Sequence, residues 1–98
     1  MMAWADTHIQ RLMRGETIQF RPVGNSMKGL IRSGQLCTVV PVVTELKIGD
    51  VVLCRVKGNQ YLHRIIAIQG GRYQIGNNKG GINGWTKAIY GKCIRVEN

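Results

Sequence analysis

Few side chains in this 98-residue chain could do chemistry. The turn Gly24-Asn25-Ser26-Met27-Lys28 sets a small hydroxyl between a glycine and a bulky methionine, after a β-rich segment and before an apolar one. Ser26 is therefore where a nucleophile is expected. The turn alone does not settle this, because serines in such places commonly hydrogen-bond only their own backbone. His8 and His63 are the two imidazoles, and the carboxylates are Asp6, Glu16, Glu45, Asp50 and Glu97. Cys37, Cys54 and Cys93 stand singly in apolar, strand-like segments without Cys-x-x-C spacing, so they are expected as buried free thiols. No carboxylate cluster lies near either histidine, and neither a metal site nor a cofactor is expected.

These residues need a scaffold, and the totals bound it. One domain spans residues 1–98, with a modest core and no room for an independent second module. Hydrophobic residues at 44%, charged residues at 19% and 13 glycines describe a folded, turn-rich chain rather than a disordered one. Apolar runs such as Leu36–Val40 and Val51–Cys54 fall far short of the roughly 20 residues of a membrane helix. Met1–Asp6 has neither the basic nor the apolar region of a secretory signal, so a soluble, cytoplasmic protein without a membrane partner is expected. The net charge of +9 biases the chain toward anionic partners, nucleic acid among them, although the basic residues are dispersed from Arg11 to Arg95.

Residues of about 6–14 pattern as a short helix, with Asp6 as N-cap, Ile9, Leu12 and Met13 on one face and Gly15 as the stop. Such a helix is too short to stand alone in water and must dock on a sheet. His8 is expected on its surface. Thr17–Val23 alternates as a strand that enters the Ser26 turn, with Pro22 marking an edge or end. Ser33-Gly34 turns into Gln35–Val43, and Lys57–Gln60 joins Asp50–Val56 to Tyr61–Ile68 as a hairpin. Gly70-Gly71 turns into Arg72–Ile75, Asn83-Gly84 is expected as a hairpin turn with Trp85 packed beside it, and Ile89–Val96 closes the chain. The implied fold is mostly β: a small curled-sheet or barrel-like domain with a short N-terminal helix, whose exposed edges leave a dimer open.

In their order, these segments resemble the serine peptidase superfamily of type I signal peptidases and the self-cleaving LexA and phage repressors. Gly24-Asn25-Ser26-Met27 matches the nucleophile box, Ser33-Gly34-Gln35 to Pro41-Val42 the strand after it, and Gly49-Asp50-Val51-Val52 the next box. Tyr61-Leu62-His63-Arg64-Ile65 falls where these proteins carry the general base, and the match runs from about 20 to 96. The base position holds histidine, as in the archaeal and endoplasmic-reticulum signal peptidases.

The resemblance implies a LexA/signal-peptidase catalytic core and a soluble endopeptidase that cleaves a protein or peptide in trans. Ser26 would be the nucleophile and His63 the general base, since a neutral imidazole can take the hydroxyl proton during attack. Backbone N–H groups around Ser26, with Gly24, Asn25 and Met27 shaping the turn, would face the oxyanion. Lys28 and Arg64 flank the pair, and their charge is expected to lower the His63 pKa. Where the histidine branch carries acids, this chain has Gly76-Asn77-Asn78 and Asn83-Gly84-Trp85, so Asn77 or Asn83 would orient the imidazole. The repressors' DNA-reading domain and their cleavable Ala-Gly or Cys-Gly dipeptide are both missing, which leaves a short phage-type peptidase-like protein. The alternative is an inactive binding module for a protein or nucleic acid on the same fold.

Overall fold

The computed structural model describes residues 3–98; Met1 and Met2, the first residues of the Met1–Asp6 segment, lie outside the described residues. One helix, α1 (Asp6–Met13), precedes seven strands: β1 (Ile18–Phe20), β2 (Leu36–Pro41), β3 (Val51–Val56), β4 (Asn59–Gln69), β5 (Arg72–Gly76), β6 (Ile82–Thr86) and β7 (Ile89–Glu97). They form one antiparallel sheet in the order β1-β2-β7-β3-β4-β5-β6. The sheet does not close, so β1 and β6 are its free edges. It curls nonetheless, because the end of β6 turns back onto β3: Thr86 Oγ1 donates to the Arg55 carbonyl at 2.7 Å, and Arg55 N–H donates to the Ala88 carbonyl at 3.0 Å. The chain is thus mostly β with one short helix, and its sheet is curled rather than a barrel.

Curling gives the sheet two apolar faces. On one, α1 lays Ile9 and Leu12 over Leu53 and Leu62, joined by Met27 and Ile31 from the loop after β1. On the other, Val52, Cys54 and Val56 pack with Ile65 and Ile75 beneath Leu46. The uninterrupted run Val51-Val52-Leu53-Cys54 follows from this, since β3 buries alternate residues on both sides. At the helix crossing, a Cβ on Gly91 would lie 2.7 Å from Val39 Cγ1 and 2.9 Å from Leu12 Cδ1. Only glycine lets α1 sit this close to β7.

Several local expectations change: Met13 is exposed rather than on the docked face of α1, and Cys93 is half-buried rather than buried. The N-cap of α1 is Ala5, and Asp6 is the first helical residue. The cap comes from a distance: Gln60 Oε1 accepts the Ala5 N–H at 2.9 Å, while its Nε2 donates to Asp6 Oδ1 at 2.6 Å. Asn83-Gly84 is not a hairpin turn but lies inside β6, because Asn77 folds the β5–β6 connection instead. Asn77 Oδ1 accepts the N–H groups of Lys79 and Gly81 at 2.8 and 2.9 Å. Pro41 does fall where β2 is edge-like, pairing with Gly91 of β7 while β1 stops at Val39.

Candidate active site

The loop that carries Ser26 is anchored at both ends. Met27 and Ile31 are buried in the core, while Ser26 itself is exposed. Gly24, at φ +112°, bends the chain out of β1, and its N–H donates to Ser33 Oγ at 3.1 Å. An added Cβ there would meet nothing within 4 Å, so the glycine serves backbone conformation rather than close approach. The loop is pinned from the β5–β6 connection: Asn78 N–H donates to the Ser26 carbonyl and Asn78 Nδ2 to the Lys28 carbonyl, each at 2.7 Å.

His63 lies in the middle of β4, opposite Val52 of β3, and is only 8% exposed. Tyr61, two residues earlier on the same face of the strand, stacks on its ring with centroids 4.9 Å apart and 24° between planes. The imidazole has a partner at each nitrogen: Nε2 is 3.1 Å from Ser26 Oγ, and Nδ1 is 2.7 Å from Asn83 Oδ1. An amide oxygen can only accept, so the Nδ1–H tautomer donates to Asn83 and leaves Nε2 as the acceptor for the serine proton. Ser26, His63 and Asn83 therefore form one hydrogen-bonded line.

A bulge aims Asn83 at the ring. In the β5–β6 register Ile75 faces Gly84 and Gly76 faces Ile82, so Asn83 is the extra residue with no partner on β5. Bulges of this kind redirect a side chain out of the regular alternation. Of the two candidate orienting residues, the structure brings Asn83 to His63 and leaves Asn77 to the connection, where its carbonyl also accepts from Arg64 Nε at 3.2 Å.

Burial is the main influence on His63 and lowers its pKa below 6.5, opposed by the hydrogen bond to Asn83. Neither Lys28 nor Arg64 contributes, so the cause expected from their charge is replaced by desolvation. The outcome is a neutral imidazole at neutral pH. Asp50 stays out of the site, accepting the Lys47 N–H at 2.8 Å and facing Lys92 at 3.5 Å. Burial pushes the thiols of Cys37 and Cys54 up to about 12, far from a reactive thiolate. Among the described residues no cluster of three or more His, Cys, Asp or Glu side chains could hold a metal.

Around Ser26, the N–H groups of Asn25, Ser26 and Met27 donate to no acceptor among the described residues, whereas Lys28, Leu30 and Ile31 donate within the turn. A pocket of about 30 Å³ opens beside Ser26, walled by Val23, Met27, Ile31 and Leu62. Asn78 and Tyr61 have no role from sequence alone, although each lies inside a quoted segment. Only the fold shows that one holds the Ser26 loop and the other backs the imidazole. No family model, curated protein or solved structure matches the chain.

Proposed function

We propose that the chain is a serine endopeptidase of the LexA/signal-peptidase type that cleaves a peptide segment in trans, with Ser26 as nucleophile and His63 as general base. The observation that carries this reading is the hydrogen-bonded line from Ser26 Oγ through both nitrogens of His63 to Asn83. The Ser26 hydroxyl passes its proton to Nε2 as Oγ attacks the scissile carbonyl, and the imidazolium returns it to the leaving amine. Asn83 fixes the ring and its tautomer. The unengaged N–H groups of Ser26 and Met27 are the donors available to the oxyanion.

The pocket beside Ser26 has room for a side chain such as alanine before the cut bond. The free edge of β1 leads through Arg21–Val23 into the nucleophile loop, where an extended substrate can add as a strand. A second reading, a module that binds without cutting, is favoured by charge. Only Arg11, Arg14, Arg55 and Lys92 have a carboxylate within 4 Å among the described residues, which leaves Lys28 and Arg32 beside Ser26 for an anionic partner.

Mass-spectrometric cleavage profiling of a diverse peptide library separates the two, with Ser26→Ala and His63→Ala run in parallel. Cleavage lost in both variants supports the peptidase. Equal cleavage by wild type and Ser26→Ala sinks it, and salt-sensitive binding of an anionic partner without cleavage selects the module.

A further inference from the structure

Asn83 is the one asparagine in the chain followed by glycine; the others precede Ser26, Gln60, Asn78 and Lys79 or end the chain. Because glycine has no side chain to hinder attack by its own nitrogen, Asn-Gly is the dipeptide most prone to losing the asparagine amide. Regular strands suppress this reaction by holding the backbone nitrogen away from the side chain. Position 83 is not held in that way: it is the unpaired residue of a bulge on an outermost strand, and Gly84 has φ +137°. Asn83 is half-buried rather than sealed, so water reaches it. Its Nδ2, the leaving group, makes no hydrogen bond among the described residues, while its Oδ1 accepts from His63 Nδ1–H at 2.7 Å, which polarises the carbonyl under attack.

We infer that Asn83-Gly84 is a self-maturation site, at which spontaneous deamidation converts the Ser26–His63–Asn83 line into one ending in a carboxylate. The Gly84 backbone nitrogen attacks Asn83 Cγ, its proton leaves with Nδ2 as ammonia, and a five-membered succinimide forms. Water then opens the bond between that nitrogen and Cγ, which leaves aspartate with the backbone intact. Opening on the other side gives the β-linked isomer, which displaces the carboxylate from the ring. The net change is one water in and one ammonia out, with no redox step.

The inference rests on the peptidase reading for its consequence but not for its chemistry. An aspartate at this position is a positioning residue: it holds the imidazole in the Nδ1–H tautomer and stabilises the imidazolium of the transition state. In a Ser-His-Asp protease, exchanging that acid for its amide costs about 10⁴ in rate.

The test incubates the purified full chain at mildly alkaline pH, maps the peptides by mass spectrometry and follows the His63 ring by NMR titration. Fresh wild type, aged wild type, Asn83→Asp and Asn83→Gln are compared. The expected results are amide loss at Asn83 ahead of every other asparagine, with aspartate among the products, and a His63 pKa raised in Asn83→Asp chains and, in the fraction that has become aspartate, in aged chains. On any peptide that is cleaved, Asn83→Asp should act about 10²-fold or more faster than fresh wild type, and Asn83→Gln should not gain on ageing. An Asn83 that deamidates no faster than the other asparagines overturns the inference. So does deamidation that leaves the His63 titration unmoved. If no chain cleaves any peptide, the peptidase reading fails separately, while the mass and titration results still decide the maturation site.

Discussion

The two histidines sit in separate corners of the molecule, one on α1 and one on β4, and have the same leading physical influence, yet they are wired differently. His8, on α1, stacks on Phe20 with centroids 4.7 Å apart and lies edge-on to Trp4 at 6.4 Å. His63 stacks on Tyr61 at 4.9 Å. Burial lowers the pKa of both. His8, however, leaves its buried Nδ1 without a partner among the described residues, whereas both nitrogens of His63 are committed, one to a hydroxyl and one to an amide. A depressed pKa and an aromatic platform are thus common to a packed histidine and a candidate base; the difference lies in what the two nitrogens touch.

The largest break in this comparison comes from the serine. Ser26→Ala should lower kcat/KM by about 10⁴-fold or more while the melting temperature stays within a degree or two, since the side chain is exposed. His8→Ala in the same assay should leave the chemical step in place. A Ser26→Ala chain that still cleaves would place the chemistry elsewhere.

Acid should separate the corners next. Below pH 6.5 the unfolded chain protonates its histidines, while the native chain holds His8 and His63 neutral, so the unfolded state binds more protons and stability drops as the pH drops. That loss begins near 6.5 and is complete once the pH drops below the native values. The rate as kcat/KM should fall about tenfold per pH unit below the native His63 pKa, because only the neutral ring accepts the serine proton. His8→Phe should flatten the stability profile and leave the rate profile unchanged. A rate limb that moves with His8→Phe would tie the acid effect to unfolding and not to the base.

How much of this was legible in the sequence follows from the same residues. Ser26 and His63 could be singled out because each stands in a segment whose order along the chain resembles a known layout. The strand periods and turn glycines around them also placed most of the sheet. Asn83 was harder, since Asn-Gly in isolation signals a tight turn. Whether the pair turns the chain or forms a bulge is decided by where Asn77 folds the β5–β6 connection. His8 was misplaced for a related reason: the helical period puts it off the buried stripe, but the aromatic side chains of Trp4 and Phe20 come from outside the helix. The long-range cap from Gln60 left no local trace at all.

Removing Tyr61 probes the platform itself. Tyr61→Leu keeps apolar bulk but loses the ring, which should cost about 0.5–1.5 kcal/mol of stability. It should also lower kcat through a less well-held imidazole while leaving KM little changed. If KM rises and kcat holds, Tyr61 touches substrate rather than backing His63.

The smallest effect is expected where the wiring is missing. His8→Phe replaces a ring with a stranded nitrogen by one of similar shape with none, on the same Phe20 and Trp4 surfaces. Leaving a buried polar atom unpaired costs about 1–3 kcal/mol, so the exchange should stabilise the chain by about 1 kcal/mol, given that His8 is only half-buried. His63→Phe makes the same chemical change in the other corner and should do the opposite, because it strands Asn83 Oδ1 and frees Ser26 Oγ. Thermal denaturation of the two variants at pH 8, where both histidines are neutral in either state, isolates this contrast from the proton linkage. Equal shifts in the two corners would mean that the hydrogen bonds of His63 add nothing to stability and that the line from Ser26 to Asn83 is held in place by packing alone.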